Sequence, residues 1–405
     1  MPRQPQLTSR LQRFGTTIFT EMSALSLRHD AVNLGQGFPD FDAPAALTEA
    51  AQRAIGEGRN QYAPGNGIPA LRRAVAEHAA RHHGLTYDPD TEVTVTTGAT
   101  EALFATLNAL CDVGDEVVVI EPAFDVYPAA ASMAGAVVKG VPLRPDEVNG
   151  GWRLDTGDLV AATSRATRAI IINTPMNPLG KTFSDQELEL VVKVAGALDA
   201  VIISDEVYEH MVFDGPHRSI CHVPGARERT VRISSAAKTF SVTGWKVGWA
   251  CAPPELTDAI RAAKQWTTFT SGTPLQHAVA EALVWDDTYV EDMAADYLRR
   301  RDLLCEALDR IGFGVTVPDG TFFVACDIRP LGFDDDMAFC NRLPEAVGVG
   351  AIPIQVFHTD PMAHTGLARF AFCKTDEALA EGIARLEAGL PSMSRNPSPT
   401  SSRTS

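Results

Sequence analysis

The chain has 405 residues, 45% hydrophobic and 21% charged, a soluble globular composition with length for one large domain and a smaller one. Thirty-five basic against fifty-one acidic residues give a formal net charge of -16, which repels phosphate backbones and argues against nucleic acid as a partner. The longest apolar runs are far too short to span a bilayer, and the basic N-terminus, MPRQPQLTSRLQRFG, has no apolar stretch behind it to make a secretion signal. The seven cysteines stand singly, without a CxxC, which argues against a disulfide framework or a zinc centre and for a reducing compartment, the cytoplasm.

In chain order, helical patterns at Leu47–Ile55, Ala70–His82, Glu101–Leu110, Asp185–Leu198 and Glu255–Ala263 separate runs rich in Val and Ile. Those runs are Val93–Thr96, Val117–Ile120, Ala169–Asn173, Val201–Ser204, Val231–Ser234 and Val247–Cys251. Continuous apolar strands alternating with amphipathic helices predict an α/β domain around a mostly parallel sheet. Beyond it come a long helix over Asp287–Ile311, strands at Gly320–Cys326 and Leu367–Cys373, and helices at Asp335–Leu343 and Asp376–Gly389, a smaller α+β domain. The expected division is an N-terminal arm with part of the small domain over 1–45, a large domain over 46–285, a small domain over 286–390, and a Ser/Pro/Thr-rich disordered tail over 391–405.

Ligands in such sheets bind beyond the carboxyl ends of the strands, so the residues just after each strand are the candidates. Thr97-Gly98-Ala99-Thr100-Glu101 opens a helix whose free N–H groups and dipole suit an anion, although an ordinary capped helix start reads the same way. Phe124 follows the second run and is read equally well as core or as a cap on a planar ring. Asn177 lies in a dense Asn/Pro turn. Asp205 ends a buried strand three residues before Tyr208, and a buried carboxylate needs a partner that the local sequence does not supply. Of seven lysines, six read as surface or helix-face residues or cannot be judged; Lys238, among small residues and hydroxyls straight after a strand, suits an amine nucleophile. Gly65-Asn66-Gly67-Ile68-Pro69-Ala70 matches a dinucleotide-binding pattern but follows no strand, which argues against a nicotinamide cofactor.

Taken together, six stretches resemble the class I/II aminotransferases, the fold type I enzymes that use pyridoxal 5'-phosphate. They are Val32–Phe41 (VNLGQGFPDF), Asn60–Gly65 (NQYAPG), Ile172–Lys181 (INTPMNPLGK), Ser204–His210 (SDEVYEH), Ser234–Trp249 (SSAAKTFSVTGWKVGW) and Leu367–Lys374 (LARFAFCK). The likeness is nearest to the subgroup of kynurenine, methionine and actinobacterial N-succinyldiaminopimelate aminotransferases. It implies a large domain built on a seven-stranded, mostly parallel sheet, a smaller α+β domain, and a homodimer with shared active sites.

The resemblance also assigns residues. Lys238 is implied as covalent anchor and proton carrier, Asp205 as partner of the protonated ring nitrogen, and Tyr208 and Asn177 as hydrogen-bonding partners of the ring oxygen. Phe124 would stack on the ring, while Gly98, Ala99, Thr100, Ser235 and Lys246 would hold the phosphate, joined by Tyr62 from the neighbouring subunit. Arg369 would grip the substrate carboxylate bidentately beside Gly37 and Asn177, with Phe19 lining the side-chain pocket. No metal is implied. The expected activity is amino-group transfer from an L-amino acid to a 2-oxo acid. An N-succinyldiaminopimelate aminotransferase and a cysteine-S-conjugate β-lyase are alternatives on the same scaffold. A non-catalytic regulator is disfavoured because no DNA-binding domain is appended.

Overall fold

Seven strands, six of them buried on both faces, form the central sheet: β1 (Val93–Thr97), β2 (Glu116–Glu121), β3 (Val137–Pro142), β4 (Thr167–Asn173), β5 (Val201–Asp205), β6 (Thr230–Ser235) and β7 (Val247–Cys251). The computed structural model describes residues 7–393 apart from 149, 361, 362 and 364. The strand order is β1-β7-β6-β5-β4-β2-β3. All neighbours run parallel except β7, which is antiparallel to both β1 and β6. Along β2, Val118 and Ile120 enter one buried cluster while Val117 and Val119 enter the other, the period-two alternation of a strand covered on both sides.

The flanking helices are α1 (Ile18–Arg28), α2 (Ala45–Gly56), α3 (Pro69–His83), α4 (Gly98–Leu110), α5 (Val126–Ala134), α6 (Asp185–Leu198), α7 (Pro254–Lys264) and α8 (Thr273–Ala282). Their ends follow local chemistry. Ser184 and Glu187 form a reciprocal capping box on α6, and α3 starts at Pro69 and stops at Gly84, whose φ of 63° ends the helix. A second, four-stranded sheet of β8 (Gly314–Val315), β9 (Phe323–Asp327), β10 (Ile352–Pro353) and β11 (Leu367–Ala371) has the order β8-β9-β11-β10. It packs with α9 (Thr288–Ile311), α10 (Asp336–Ala346) and α11 (Asp376–Met393). One apolar cluster runs from Ile170 and Ile202 of the large sheet to Phe323 and Phe370 of the smaller one.

Several elements depart from the sequence reading. Strand β3 lies at the sheet edge, paired with β2 alone, and its exposed Val137 and half-buried Lys139 hide the buried-strand signature. The expected strand at Gly320–Cys326 begins only at Phe323; Gly320 forms an isolated bridge with Val212. Pro391–Met393, expected in the tail, belong to α11, and the rest of that tail lies outside the described residues. Among the lysines, Lys181, Lys264 and Lys374 are buried rather than superficial: Lys181 pairs with Glu187 at 2.9 Å, and the other two donate to the carbonyls of Phe269 and Phe38.

Candidate active site

The carboxyl ends of the strands open onto a cavity of about 340 Å³, lined by all the residues singled out from sequence except Tyr62. The molecule has a larger groove, about 1700 Å³, bordered by Arg144–Val148, Gly150–Thr156 and Val315–Asp319, but none of those candidates lines it. Register explains the convergence. Asn173 at the end of β4 is paired with Asp205 at the end of β5, so the turn after one strand and the carboxylate of the next meet at one edge of the cavity. Asn173 then holds both sides: its Nδ2 donates to the Asp205 carbonyl at 2.9 Å, and its Oδ1 accepts from Asn177 N at 2.7 Å.

Asp205 is 4% exposed and has no ion-pair partner among the described residues. Tyr127 O–H donates to its Oδ2 at 2.7 Å and Val207 N–H to its Oδ1 at 3.2 Å. Burial outweighs these two donors and raises the carboxyl pKa from 3.8 to about 6. A buried carboxylate with room before it complements a cationic ring nitrogen.

Lys238 sits on a single helical turn, Ala236–Thr239, that continues directly from β6. Its Nζ donates to the Gly37 carbonyl at 3.3 Å and lies over the rings of Phe322 and Tyr208, at 5.3 and 5.6 Å. Burial lowers its pKa from 10.5 to about 8, so about a tenth is the neutral, nucleophilic amine at pH 7, a few hundred times the fraction for a lysine in water. Tyr208 is itself buried, edge-on to Phe322, and burial raises its phenol pKa.

The opposite wall is built for an anion. Helix α4 begins at Gly98 without a side-chain cap from Thr97, so its first N–H groups face the cavity. Gly98 has a φ of +73°, and a Cβ there would lie 3.2 Å from Lys246 Nζ; Lys246 itself holds a left-handed φ of 55°. Gly248 admits no side chain either, since its Cβ would come within 2.6 Å of the Gly98 carbonyl carbon. Backbone and ammonium are thereby pressed together around a space that Ser235 also lines.

Arg369, on β11, is fully buried at the cavity's other end. Its Nη1 donates to Asn177 Oδ1 and its Nη2 to the Gly35 carbonyl, both at 2.7 Å, while its Nε–H has no partner among the described residues. Phe323 stacks 4.0 Å from the guanidinium, and the rings of Phe19 and Phe357 flank it at 5.3 and 5.5 Å. Burial lowers the Arg369 pKa to about 10, which leaves it charged and underpaired, ready for a carboxylate. Gly37 is required here because a Cβ would fall 2.3 Å from Phe323 Cζ. Phe124 lies against Tyr127 and Phe19.

Tyr62 stands apart: it is 83% exposed, edge-on to Phe269, and no strand end of this chain brings it to the cavity. Sequence reasoning overlooked Tyr127 and Asn173 as site residues. Asn173 lies inside the quoted Asn/Pro motif, but nothing local to Tyr127 points to a carboxylate 78 residues away.

The family model described as aminotransferase class I and II matches residues 29–386. The probable N-succinyldiaminopimelate aminotransferase of Mycobacterium tuberculosis is 49% identical over 388 residues, 93% of this chain and 97% of the relative. Its solved structure gives a TM-score of 0.92, covering 94% of this chain and 99% of that one. The methionine aminotransferase of Escherichia coli is 40% identical over 386 residues, 95% of this chain and 98% of the relative. Its structure gives a TM-score of 0.90 at 39% identity, covering 95% and 100%. The chain therefore belongs to the class I and II aminotransferases, transaminases that work with pyridoxal 5'-phosphate.

Proposed function

We propose that the cavity transfers an amino group from an L-amino acid to a 2-oxo acid in two half-reactions, with Lys238 as the residue that moves the proton. The carrying observation is that Lys238, Asp205 and Arg369 line one small cavity, each uncompensated in a different way. The cofactor fits these residues: a phosphate suits the α4 N-terminus with Ser235 and Lys246, and a protonated ring nitrogen suits the ion-pair-free Asp205 carboxylate. Bound there, pyridoxal 5'-phosphate supplies an electron-withdrawing ring that acidifies the amino acid Cα–H.

The chain's own residues do the rest. Arg369 binds the substrate carboxylate through two N–H groups, with Asn177 and the Gly35 carbonyl fixing the plane of the guanidinium. That orientation presents the Cα–H to Lys238 Nζ, which takes the proton as a neutral amine and returns it on the other side of the reacting bond. Tyr127 and Val207 donate to Asp205 and favour its ionised form, and Tyr208 and Asn177, which line the same cavity, would hydrogen-bond the ring oxygen. Phe124 would cover the ring face, and Gly98, Ala99 and Thr100 would contribute N–H groups to the phosphate.

A homodimer belongs to the same reading. Tyr62, turned outward on this chain, would reach the phosphate held by the partner subunit. In this division residues 46–285 supply the cofactor end of the cavity, and Phe19, Gly37, Phe323 and Arg369, from outside that range, line its substrate end. The cysteines, all free and buried, support a cytoplasmic setting.

For the donor, Phe19, Phe38, Leu103, Phe124 and Phe323 make an apolar wall that favours an uncharged side chain such as methionine's. N-succinyldiaminopimelate is the second reading, supported by the 49% identical relative. Purified enzyme is titrated with methionine, glutamine, kynurenine and N-succinyldiaminopimelate while the cofactor absorbance is followed. Conversion to the pyridoxamine form by one donor names it. Pyruvate release from a cysteine conjugate in place of that conversion would identify elimination instead. A protein that takes up no pyridoxal phosphate would overturn the reading.

A further inference from the structure

Behind the strand that presents Asp205, away from the cofactor cavity, five histidines crowd two buried glutamates. His78 and His83 come from the last turns of α3, Glu209 and His210 from the segment after β5, and all four are under a tenth exposed. One ligand atom from each of the four lies within 4.8 Å of all the others. His78 Nε2 faces His210 Nε2 at 3.0 Å, and His83 Nε2 faces Glu209 Oε2 at 2.7 Å. None of the four lines the catalytic cavity.

We infer that His78, His83, His210 and Glu209 form a binding site for one divalent transition-metal ion, zinc by the chemistry of the set. Three imidazoles and a carboxylate are a zinc donor set, and two ligands of a tetrahedral zinc lie roughly 3.3 Å apart given bonds of about 2.0–2.1 Å. Two pairs of the cluster already lie within that spacing, at 3.0 and 2.7 Å, and no pair of its ligand atoms is more than 4.8 Å apart. Two further observations point to a ligand. The contact of His83 Nε2 with Glu209 lacks hydrogen-bond geometry, so this buried nitrogen has no hydrogen-bond partner among the described residues. The charges also invite a cation: Arg232 is the one guanidinium serving both Glu206 and Glu209, and their remaining contacts, His217 Nε2 to Glu206 Oε2 at 2.9 Å and His83 Nε2 to Glu209 Oε2 at 2.7 Å, come from imidazoles, which when neutral leave the pair net negative.

The surroundings are those of a supported ligand shell. Ser234 O–H donates to Glu209 Oε1 at 2.5 Å and Arg232 Nη2 to Oε2, so the carboxylate is held in place and the ion would share Oε2 with the guanidinium, which keeps a second anchor on Glu206 at 2.7 Å. His78 and His210 are 132 residues apart in the chain. An ion between them staples α3 to the segment that carries Asp205 and Tyr208, a structural role consistent with full burial and four protein ligands. Cysteine spacing, the usual sequence signal for zinc, is silent here because the donors are histidines from distant elements.

The test is the metal content of the pyridoxal-phosphate-loaded enzyme, measured by mass spectrometry after gel filtration and after incubation with zinc chloride. The expected result is about one zinc per chain, a Tm lowered by chelator and restored by zinc but not by magnesium. His78→Asn and His210→Gln each reduce bound zinc at least about tenfold while retaining the cofactor absorbance and kcat within about threefold. Absence of stoichiometric zinc in the wild-type enzyme under both conditions overturns the site and leaves a hydrogen-bonded histidine cluster. Zinc that persists in both variants overturns it too, since the ion then lies elsewhere. Neither result touches the aminotransferase reading, which rests on the other face of the sheet.

Discussion

Tyr127 donates its hydroxyl to Asp205 Oδ2 at 2.7 Å, joining the first turn of α5 to the last residue of β5. The bond stabilises the ionised carboxylate, so Tyr127→Phe raises the Asp205 pKa further above about 6. The expected outcome is a loss of about tenfold in kcat/KM at pH 7, the size of one hydrogen bond to a charged group, with the acid limb of the pH–rate profile moved to higher pH. A profile that keeps its acid limb in place would show that Tyr127 only fills space.

Asp205 also links function to stability. Its folded pKa is raised, so the stability it contributes is fully present below the unfolded value near 3.8 and is lost as pH rises through about 6. Above that, the ionised carboxylate costs about 3 kcal/mol in the cofactor-free protein, from a shift of about two units. Asp205→Asn removes the charge and keeps an acceptor for Tyr127. The cofactor-free variant should therefore melt higher than wild type at pH 7.5, with the gain roughly halved by pH 5, while transamination is lost. Melting curves of both proteins at the two pH values decide it; equal Tm values at pH 7.5 would mean that Asp205 is compensated by a cation.

Arg369 and Lys differ here by geometry rather than charge. The guanidinium spans Asn177 Oδ1 and the Gly35 carbonyl while leaving Nε–H and further Nη hydrogens for a ligand; an ammonium cannot do both. Arg369→Lys should lower kcat/KM by about two orders of magnitude, mainly through KM, because one arm of a bidentate grip and its alignment are lost. Steady-state kinetics with the preferred donor check the split. A variant with normal KM would move the carboxylate site elsewhere.

How much of this was legible in sequence depends on how far each signal reaches. Strands β4, β5 and β6 declare themselves because both faces are buried, and the residues at their exits fall into the cavity as a consequence of register. Edge strand β3, half exposed, does not, and α1 is fixed by Ile18 and Met22 entering the core rather than by its own pattern. Lys374 read as a surface charge because its partner, the Phe38 carbonyl, is 336 residues away. The Tyr127–Asp205 bond and the histidine cluster were hidden for the same reason. Residues within a motif were readable; those whose role depends on a contact between distant elements were not.

Lys238 carries the sharpest pH signature. Covalent capture of added pyridoxal 5'-phosphate by the cofactor-free protein needs the neutral amine, and burial sets that amine's pKa at about 8 instead of 10.5. Desolvation disfavours the ammonium, so the neutral fraction rises with pH and passes one half near pH 8. The rate of uptake, followed by absorbance in a stopped-flow instrument, should increase with pH and level off above about pH 9. A rate still climbing at pH 10 would place the amine in water, outside the desolvating contact of Tyr208 and Phe322. Lys238→Ala should retain cofactor through the α4 N-terminus, Lys246 and Asp205, yet lose at least about 10³-fold in kcat, because the other amine lining the cavity, Lys246, lies beside Gly98 at the phosphate end. Partial recovery of turnover by added methylamine would show that the missing group is the base itself and not the fold around it.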